Sequence, residues 1–241
     1  MGKTRFSIII PTYNSSNRVL ETIESVFNQT YKDYEIIIQD GKSEDNTLEL
    51  LNVFKNDSRV YIVSEKDKSV YDAMNKAVAS ATGDYCIFLG AGDRLHNKNV
   101  LTKIDENLSN HEYDILCGYV ITNDNGKLGE IRVKPDWMYT VRFIPICHQS
   151  VFAKRSLLIQ RPFDIKYRVG ADQDWLMYMK KTRKRFGYID FPVSIYMKDG
   201  LSSSELGNHI FVEEKREIQK KYYPLRFKFI TWHKKRKANK T

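Results

Sequence analysis

An α/β fold built on a mostly parallel central sheet is predicted by three features of this 241-residue chain. Three apolar runs are continuous rather than alternating: Ser7-Ile8-Ile9-Ile10-Pro11-Thr12-Tyr13-Asn14, Glu35-Ile36-Ile37-Ile38-Gln39-Asp40 and Tyr85-Cys86-Ile87-Phe88-Leu89-Gly90-Ala91-Gly92-Asp93. Such β-branched runs are what strands covered on both faces look like. Helical patterns lie between them, as the crossovers of parallel strands require. Each run also ends on a polar group, and in a parallel sheet the carboxyl ends of neighbouring strands open on one crevice where ligands bind. Asn14, Asp40 and Asp93 are therefore expected to meet.

After the first run, Ser15 or Ser16 is placed to cap a helix with Val19, Leu20, Ile23, Val26 and Phe27 on one stripe, ending near Gln29-Thr30. Beyond Asp40, Gly41-Lys42-Ser43-Glu44-Asp45-Asn46-Thr47 is turn chemistry. It leads to a helix bearing Leu48, Leu51 and Phe54, and then to the short strand Val60-Tyr61-Ile62-Val63. Residues 69–81 set Tyr71, Met74, Ala77 and Val78 at helical spacing, and Gly83 reads as a C-cap that launches the third run. Val100, Leu101, Ile104 and Leu108 mark a further helix. In the second half, strands over 114–122 and 127–134 flank Asn123-Asp124-Asn125-Gly126, a hairpin signal, so the sheet turns mixed there. A strand over 149–153, a helix over 173–181, a strand over 188–197 and a charged helix over 208–222 complete the pattern.

With 41% hydrophobic residues the chain can bury one sizeable core, and no composition break or repeat divides it. One domain over 1–217 and a tail over 218–241 are expected. The net charge of +9 resides in that tail, which holds nine Lys and Arg and no acid, leaving 30 bases against 30 acids elsewhere. No signal peptide pattern opens the chain and no apolar run reaches the roughly 18 residues of a membrane span, so a cytosolic body is expected. Cys86, Cys117 and Cys147 lack paired spacing and read as reduced packing residues.

A nucleoside diphosphate ligand needs a cradle for its base, acidic acceptors for base or ribose donors, and something to offset phosphate charge. Thr12, Tyr13 and Asn14 leave the first strand, Asp40 the second and Asp93 the third, beside Gly90 and Gly92, whose missing side chains admit a ligand closely. Singly, Pro11-Thr12 and Asp40-Gly41 are ordinary turns; together they point to a site. The segments 7–14, 37–47, 64–76 and 88–93 resemble the successive motifs of family 2 glycosyltransferases of the GT-A fold, a correspondence that extends over about 5–200 and is most specific in the first hundred residues. The resemblance implies a single GT-A-type, Rossmann-like domain. It also implies a nucleotide-activated sugar donor, taken here as a UDP-sugar, inversion of the anomeric centre and a divalent cation, Mn²⁺ or Mg²⁺.

Carried over position by position, the resemblance implies that Pro11, Thr12 and Tyr13 line the base pocket with Asn14 beside them, and that Asp40 bonds the base or ribose. Asp67 would face the nucleotide sugar, while Tyr71, Asp72, Asn75 and Lys76 would form one wall of the donor pocket; Met74 and Ala77 read as core. The family commonly sets an Asp-x-Asp where this chain reads Gly90-Ala91-Gly92-Asp93, so Asp93 alone remains to hold a cation together with substrate phosphates. His148, in Cys147-His148-Gln149-Ser150, resembles a His-Gln element near the donor, implying a phosphate or acceptor contact, though a lone histidine is also an ordinary structural residue. Inverting transfer needs a base opposite the leaving diphosphate. Val169-Gly170-Ala171-Asp172-Gln173-Asp174-Trp175 resembles the family's acidic motif, whose first Asp is the base. Asp172 is expected in that role, with Asp174 as alternative and plain helix capping as the bland reading. The loop around Asp199-Gly200-Leu201-Ser202 resembles a Gly-x-Ser loop that closes on donor, and the helix with Glu213, Glu214, Lys215 and Arg216 reads as a solvated surface.

The tail alternates aromatics with cations, Arg226-Phe227-Lys228-Phe229-Ile230-Thr231-Trp232-His233-Lys234-Lys235-Arg236-Lys237, which suits peripheral attachment to an anionic inner membrane face and a lipid-linked saccharide acceptor. No nucleic-acid module accompanies the charge. A sugar nucleotidyltransferase would want a Gly-rich, basic phosphate loop after the first strand, and a dehydrogenase a Gly-x-Gly-x-x-Gly; neither is present. A non-catalytic transferase-like binding module is the remaining alternative, supported by the thinned motif at 90–93.

Overall fold

The computed structural model describes residues 5–132, 146–198, 200 and 203–224. The chain opens with β1 (Phe6–Thr12), α1 (Val19–Phe27), β2 (Tyr34–Asp40), α2 (Thr47–Leu51) with a 3-10 turn, β3 (Val60–Ser64), α3 (Val70–Ser80) and β4 (Tyr85–Phe88). There follow β5 (Arg94–Leu95), α4 (Val100–Asn110), β6 (Ile115–Asp124), β7 (Lys127–Ile131), β8 (Val151–Lys154), α5 (Arg155–Gln160), α6 (Ala171–Lys181), β9 (Phe186–Met197) and α7 (Glu205–Tyr222). One sheet runs β3-β2-β1-β4-β8-β6-β9-β5, with β7 hanging from β6. Strands β3, β2, β1 and β4 are parallel. Strand β8 runs antiparallel to β4 and β6, so the sheet is mixed where expected.

The isoleucine runs are continuous because each face of the sheet has its own core. Ile8, Ile10, Ile36 and Ile38 pack with Val19, Ile23, Val26, Leu101 and Ile104 of α1 and α4. Ile9 and Ile37 point the other way, to Tyr71, Met74 and Ala77 of α3 and to Trp175 and Met179 of α6. Register aligns Thr12 with Asp40, and Asp40 with Ser64, so the three strand ends lie level. The hairpin turn is Asn125-Gly126, both at positive φ (50° and 89°), the two-residue turn whose twist matches paired strands.

Several local expectations are corrected. Neither Ser15 nor Ser16 caps α1; Arg18 holds the N-cap without a side-chain bond, while the Ser15 carbonyl accepts from the Arg18 and Val19 amides. Helix α3 ends at Ser80 with Ala81 extended, so Gly83 is no left-handed cap. It is a close-approach glycine: a Cβ there would stand 2.5 Å from Ser7 Oγ and 2.8 Å from the Phe6 carbonyl carbon. The buried Glu35 carboxylate accepts from Ser7 Oγ at 2.6 Å, the Thr82 amide at 2.6 Å and the Gly83 amide at 3.0 Å, and so ties β1, β2 and the entry to β4 together. Strand β5 and helix α5, too short to carry a period, were not anticipated. Helix α7 buries Ile218 and Tyr222, so packing carries past residue 217. The basic stretch 225–241 and residues 133 and 134 of the expected seventh strand lie outside the described residues, as do Asp199, Leu201 and Ser202 of the Gly-x-Ser loop.

Candidate active site

At the level strand ends, Asp40 is fully buried and its carboxylate accepts from the hydroxyl and amide of Ser43 and, at 2.6 Å, from Ser64 Oγ. Asn14, at φ 47°, donates its amide to Ser43 Oγ and accepts the Glu44 amide on its side chain. Both residues thus fasten the 41–47 loop. Next to them three buried polar atoms have no protein partner among the described residues: Thr12 Oγ1, Gln39 Nε2 and Asp67 Oδ2. Gly41 lets two groups close in, since its missing Cβ would lie 3.3 Å from the exposed Tyr13 ring and 3.5 Å from Asp67 Oδ2. An aromatic face and unsatisfied polar atoms therefore share one strand end.

The expected wall of α3 is only partly realised. Tyr71 faces the cavity, but Asp72, Asn75 and Lys76 are not among the residues that line it. Asp72 is held at the start of α3, donating its amide to Oγ of the N-cap Ser69 and accepting the amide of Lys68 just before it. Asn75 pairs with both backbone groups of Phe163, at 2.9 Å each. The Lys76 ammonium donates to Asp67 Oδ1 at 2.7 Å and to the Lys66 carbonyl, with Glu65 3.1 Å away. Helical spacing placed these three side chains correctly along α3; the helix's own N-terminus engages Asp72, and the loops packed against the helix engage Asn75 and Lys76.

Beyond β4, the turn returns Asp93 to the cavity, buried at 5% exposure. Its Oδ1 accepts the Met197 amide and its Oδ2 accepts both the Gly90 amide and Gln149 Nε2, all at 3.0 Å. Burial pushes this carboxyl above its ordinary 3.8, against the pull of those donors. Gln149, rather than His148, is thus the half of the His-Gln pair that serves Asp93. Gly92 sits at φ 102°, a backbone that a side chain rarely tolerates. Three of the roughly four lone-pair positions on Asp93 are engaged. Among the described residues no three His, Cys, Asp or Glu converge as metal ligands. With Gly90 and Gly92 bringing no ligand, the turn offers a cation a single carboxylate with one position left, too few for the protein to hold it by itself.

Across the cavity, Asp172 stands in the first turn of α6, whose N-cap is Gly170. It does not cap the helix. Its Oδ1 accepts the Gln173 amide at 2.7 Å and lies 3.2 Å from Tyr71 Oη, which also donates to the Val169 carbonyl at 2.6 Å. Burial and the nearby Asp172 carboxylate push the Tyr71 hydroxyl well above 10, so it stays a donor. His148 Nδ1 lies 3.1 Å from Asp172 Oδ2, leaving one position open on that oxygen. Asp174, the alternative base, is 1% exposed and accepts from Arg161 at 2.7 Å, Lys221 at 2.8 Å and Tyr222 Oη at 3.1 Å; it holds α6 to α7. Glu214, read as surface, instead accepts the Arg168, Val169 and Gly170 amides, at 2.6, 3.1 and 2.7 Å, and fixes the loop that delivers Asp172. Some forty residues separate the partners, so no local pattern could have revealed it.

The cavity between these groups measures about 1110 Å³. Pro11, Tyr71, Asp93, His148 and Asp172 line it, whereas Tyr13, Asn14, Asp40 and Asp67 lie outside its lining at the strand ends. Three cations, Lys68, Arg168 and Lys198, line it too.

The model of glycosyl transferase family 2 matches residues 7–171. A PGL/p-HBAD biosynthesis glycosyltransferase of Mycobacterium bovis is 36% identical over 179 residues, covering 73% of this chain and 69% of its own. The fold matches the Staphylococcus aureus protein TarS in complex with UDP-GlcNAc, with a TM-score of 0.70 at 19% identity over 90% of this chain and 71% of that one. It also matches the mannosyltransferase PcManGT from Pyrobaculum calidifontis in complex with GDP-Man and Mn²⁺, with a TM-score of 0.64 at 18% identity over 90% and 61%. With a family model spanning more than half its length and a relative of this identity, the chain belongs to glycosyltransferase family 2 and is a glycosyltransferase of the GT-A fold.

Proposed function

We propose that this enzyme transfers a sugar, with inversion, from a UDP-sugar to a saccharide acceptor, with Asp172 as the base. The observation that carries the reading is the Asp172 carboxylate on the cavity wall, its Oδ2 held by His148 with one lone-pair position free. A carboxylate only accepts, so His148 must present Nδ1–H to it, which fixes the imidazole beside the reacting hydroxyl. Oδ2 takes the proton of the acceptor hydroxyl as its oxygen attacks the anomeric carbon. The bond from that carbon to the diphosphate oxygen breaks, and the nucleoside diphosphate leaves with the electron pair. Tyr71 and the Gln173 amide hold the other carboxylate oxygen, so Asp172 does not turn away.

The nucleoside is assigned to the strand ends, where Tyr13 supplies an aromatic face and Thr12, Gln39 and Asp67 supply unpaired polar atoms. Asp40 and Asn14 support the loop beneath it. The preference for uridine follows the UDP-GlcNAc complex of a structural neighbour. A lipid-linked acceptor and work at an anionic inner membrane face rest on the basic aromatic sequence of 218–241. Among the described residues no helix is long and apolar enough to cross a membrane.

Thermal shift against the nucleoside diphosphates and their sugars tests the donor, and the anomeric configuration of the product, read by proton NMR, tests the stereochemistry. Stabilisation by UDP and an inverted product are expected. A preference for guanosine or thymidine nucleotides, or a retained configuration, would refute the proposal.

A further inference from the structure

We infer that the donor's diphosphate is held by a ring of side-chain cations, Lys68, Arg168 and Lys198, in place of a divalent ion bound by the protein. This rests on the donor reading above and concerns what neutralises its phosphates. A pyrophosphate entering the cavity brings at least two negative charges, and the turn at residues 90–93 that would seat a cation is ill suited to one. Gly90 and Gly92 carry no ligand, and Asp93 is buried with three internal donors. Nor can an acid simply be restored at Gly92, because φ there is 102° and a Cβ would lie 3.2 Å from Arg18 Cδ.

The cations are distributed as such a site requires. Lys68 precedes α3, Arg168 precedes α6 and Lys198 follows β9, so three separate segments bring one positive charge each to the same cavity. Elsewhere basic side chains are commonly neutralised: Lys76 by Glu65 and Asp67, Arg161 and Lys221 by Asp174, Lys154 by Asp114, Lys166 by Glu217. Among the described residues no carboxylate pairs with the side chains of Lys68, Arg168 or Lys198; each makes its recorded bond through its backbone amide. The same hollow is also lined by Asp93, Asp124 and Asp172, but Asp93 and Asp172 are engaged by their own donors, so the three exposed cations are the groups left without an ion pair to meet an anionic ligand. Ser69 and Val70, at the start of the 11-residue α3, line the same wall and add the positive end of a helix dipole.

Isothermal titration of the full chain with UDP and with uridine, in EDTA and again with excess Mn²⁺, tests this. UDP should bind in EDTA with an affinity within about threefold of that in Mn²⁺. Arg168→Ala, Lys198→Ala and Lys68→Ala should each weaken UDP roughly tenfold while leaving uridine unchanged. Each Gln variant should behave like its Ala counterpart, and Lys55→Ala, which removes equal charge on a distant surface, should leave both ligands unchanged. UDP affinity should fall as ionic strength rises, and uridine affinity should not. Binding of UDP only when Mn²⁺ is present, with uridine still bound in EDTA, would overturn this inference and leave the donor assignment standing. Failure of UDP and uridine to bind under either condition would overturn both.

Discussion

Replacing each of two neighbouring aspartates by asparagine separates chemistry from architecture within a single turn of α6. Asp174 is 1% exposed and meets a guanidinium, an ammonium and a phenol on its two oxygens. An amide there keeps one acceptor and turns an NH₂ toward a cation, and breaking a buried ion pair costs about 3–5 kcal/mol. Lys221 is 37% exposed and can rehydrate, so the lower end applies, about 3 kcal/mol. For a chain of this size that lowers Tm by about 6–12 °C. Asp172→Asn keeps the acceptor facing Tyr71 and the Gln173 amide and requires only that His148 present the other tautomer, a change worth within about 1 kcal/mol. Its effect falls on the reaction, where loss of a positioned base costs about 10²–10⁴-fold. Differential scanning fluorimetry with initial rates of sugar transfer measures both quantities on both variants. Asp172→Asn should melt like wild type, bind UDP and lose transfer, and Asp174→Asn should melt early and retain transfer per folded molecule. The reasoning is refuted by the crossed result, a normal Tm without transfer for Asp174→Asn and full transfer for Asp172→Asn.

Two further outcomes follow from geometry away from the base. Gly83→Ala should destabilise by about 1–3 kcal/mol, because the added methyl meets not only Ser7 Oγ but also backbone atoms of Phe6 and Ser7, which cannot swing aside; urea unfolding at unchanged m checks it, and an unaltered midpoint would count against the close approach. Asp45 is held near pKa 2 by the Thr47 hydroxyl first and then by the Thr47 and Ser16 amides. Its folded value lies below its ordinary 3.8, so the loop contact stabilises fully above pH 3.8 and is lost as pH falls through about 2. Carboxyl NMR should find that midpoint, and one near 3.8 would show the contact absent.

Much of the frame was legible before any coordinates. Uninterrupted isoleucine in β1 and β2 specified strands covered on both faces, and Val19, Ile23, Val26 and Val100, Leu101, Ile104 specified the helices that cover one of them. Asn125-Gly126 specified a hairpin because few other residues accept two successive positive φ values. Where local chemistry had several outlets, spacing was insufficient. Ser15 and Gly83 both carry capping chemistry, yet neither caps, because the chain had another use for each: a turn carbonyl in one case and room for a neighbouring strand in the other.

Periodicity fixes which side chains leave a strand end or share a helix face, and the acids and aromatics of the motifs stand in that order, so the residues able to act were already named. Which of them reach the cavity was settled by packing. Asp40, Asp72, Asn75, Lys76 and Asp174 are drawn into bonds away from the cavity, with partners from three to 88 residues away, whereas Asp172, bonded as they are, stands on the cavity wall with Lys68, Arg168 and Lys198. A polar group's role depends on what satisfies it, and bonds such as Asn75 to Phe163 or Lys221 to Asp174 are set by packing between distant segments, which no local pattern records.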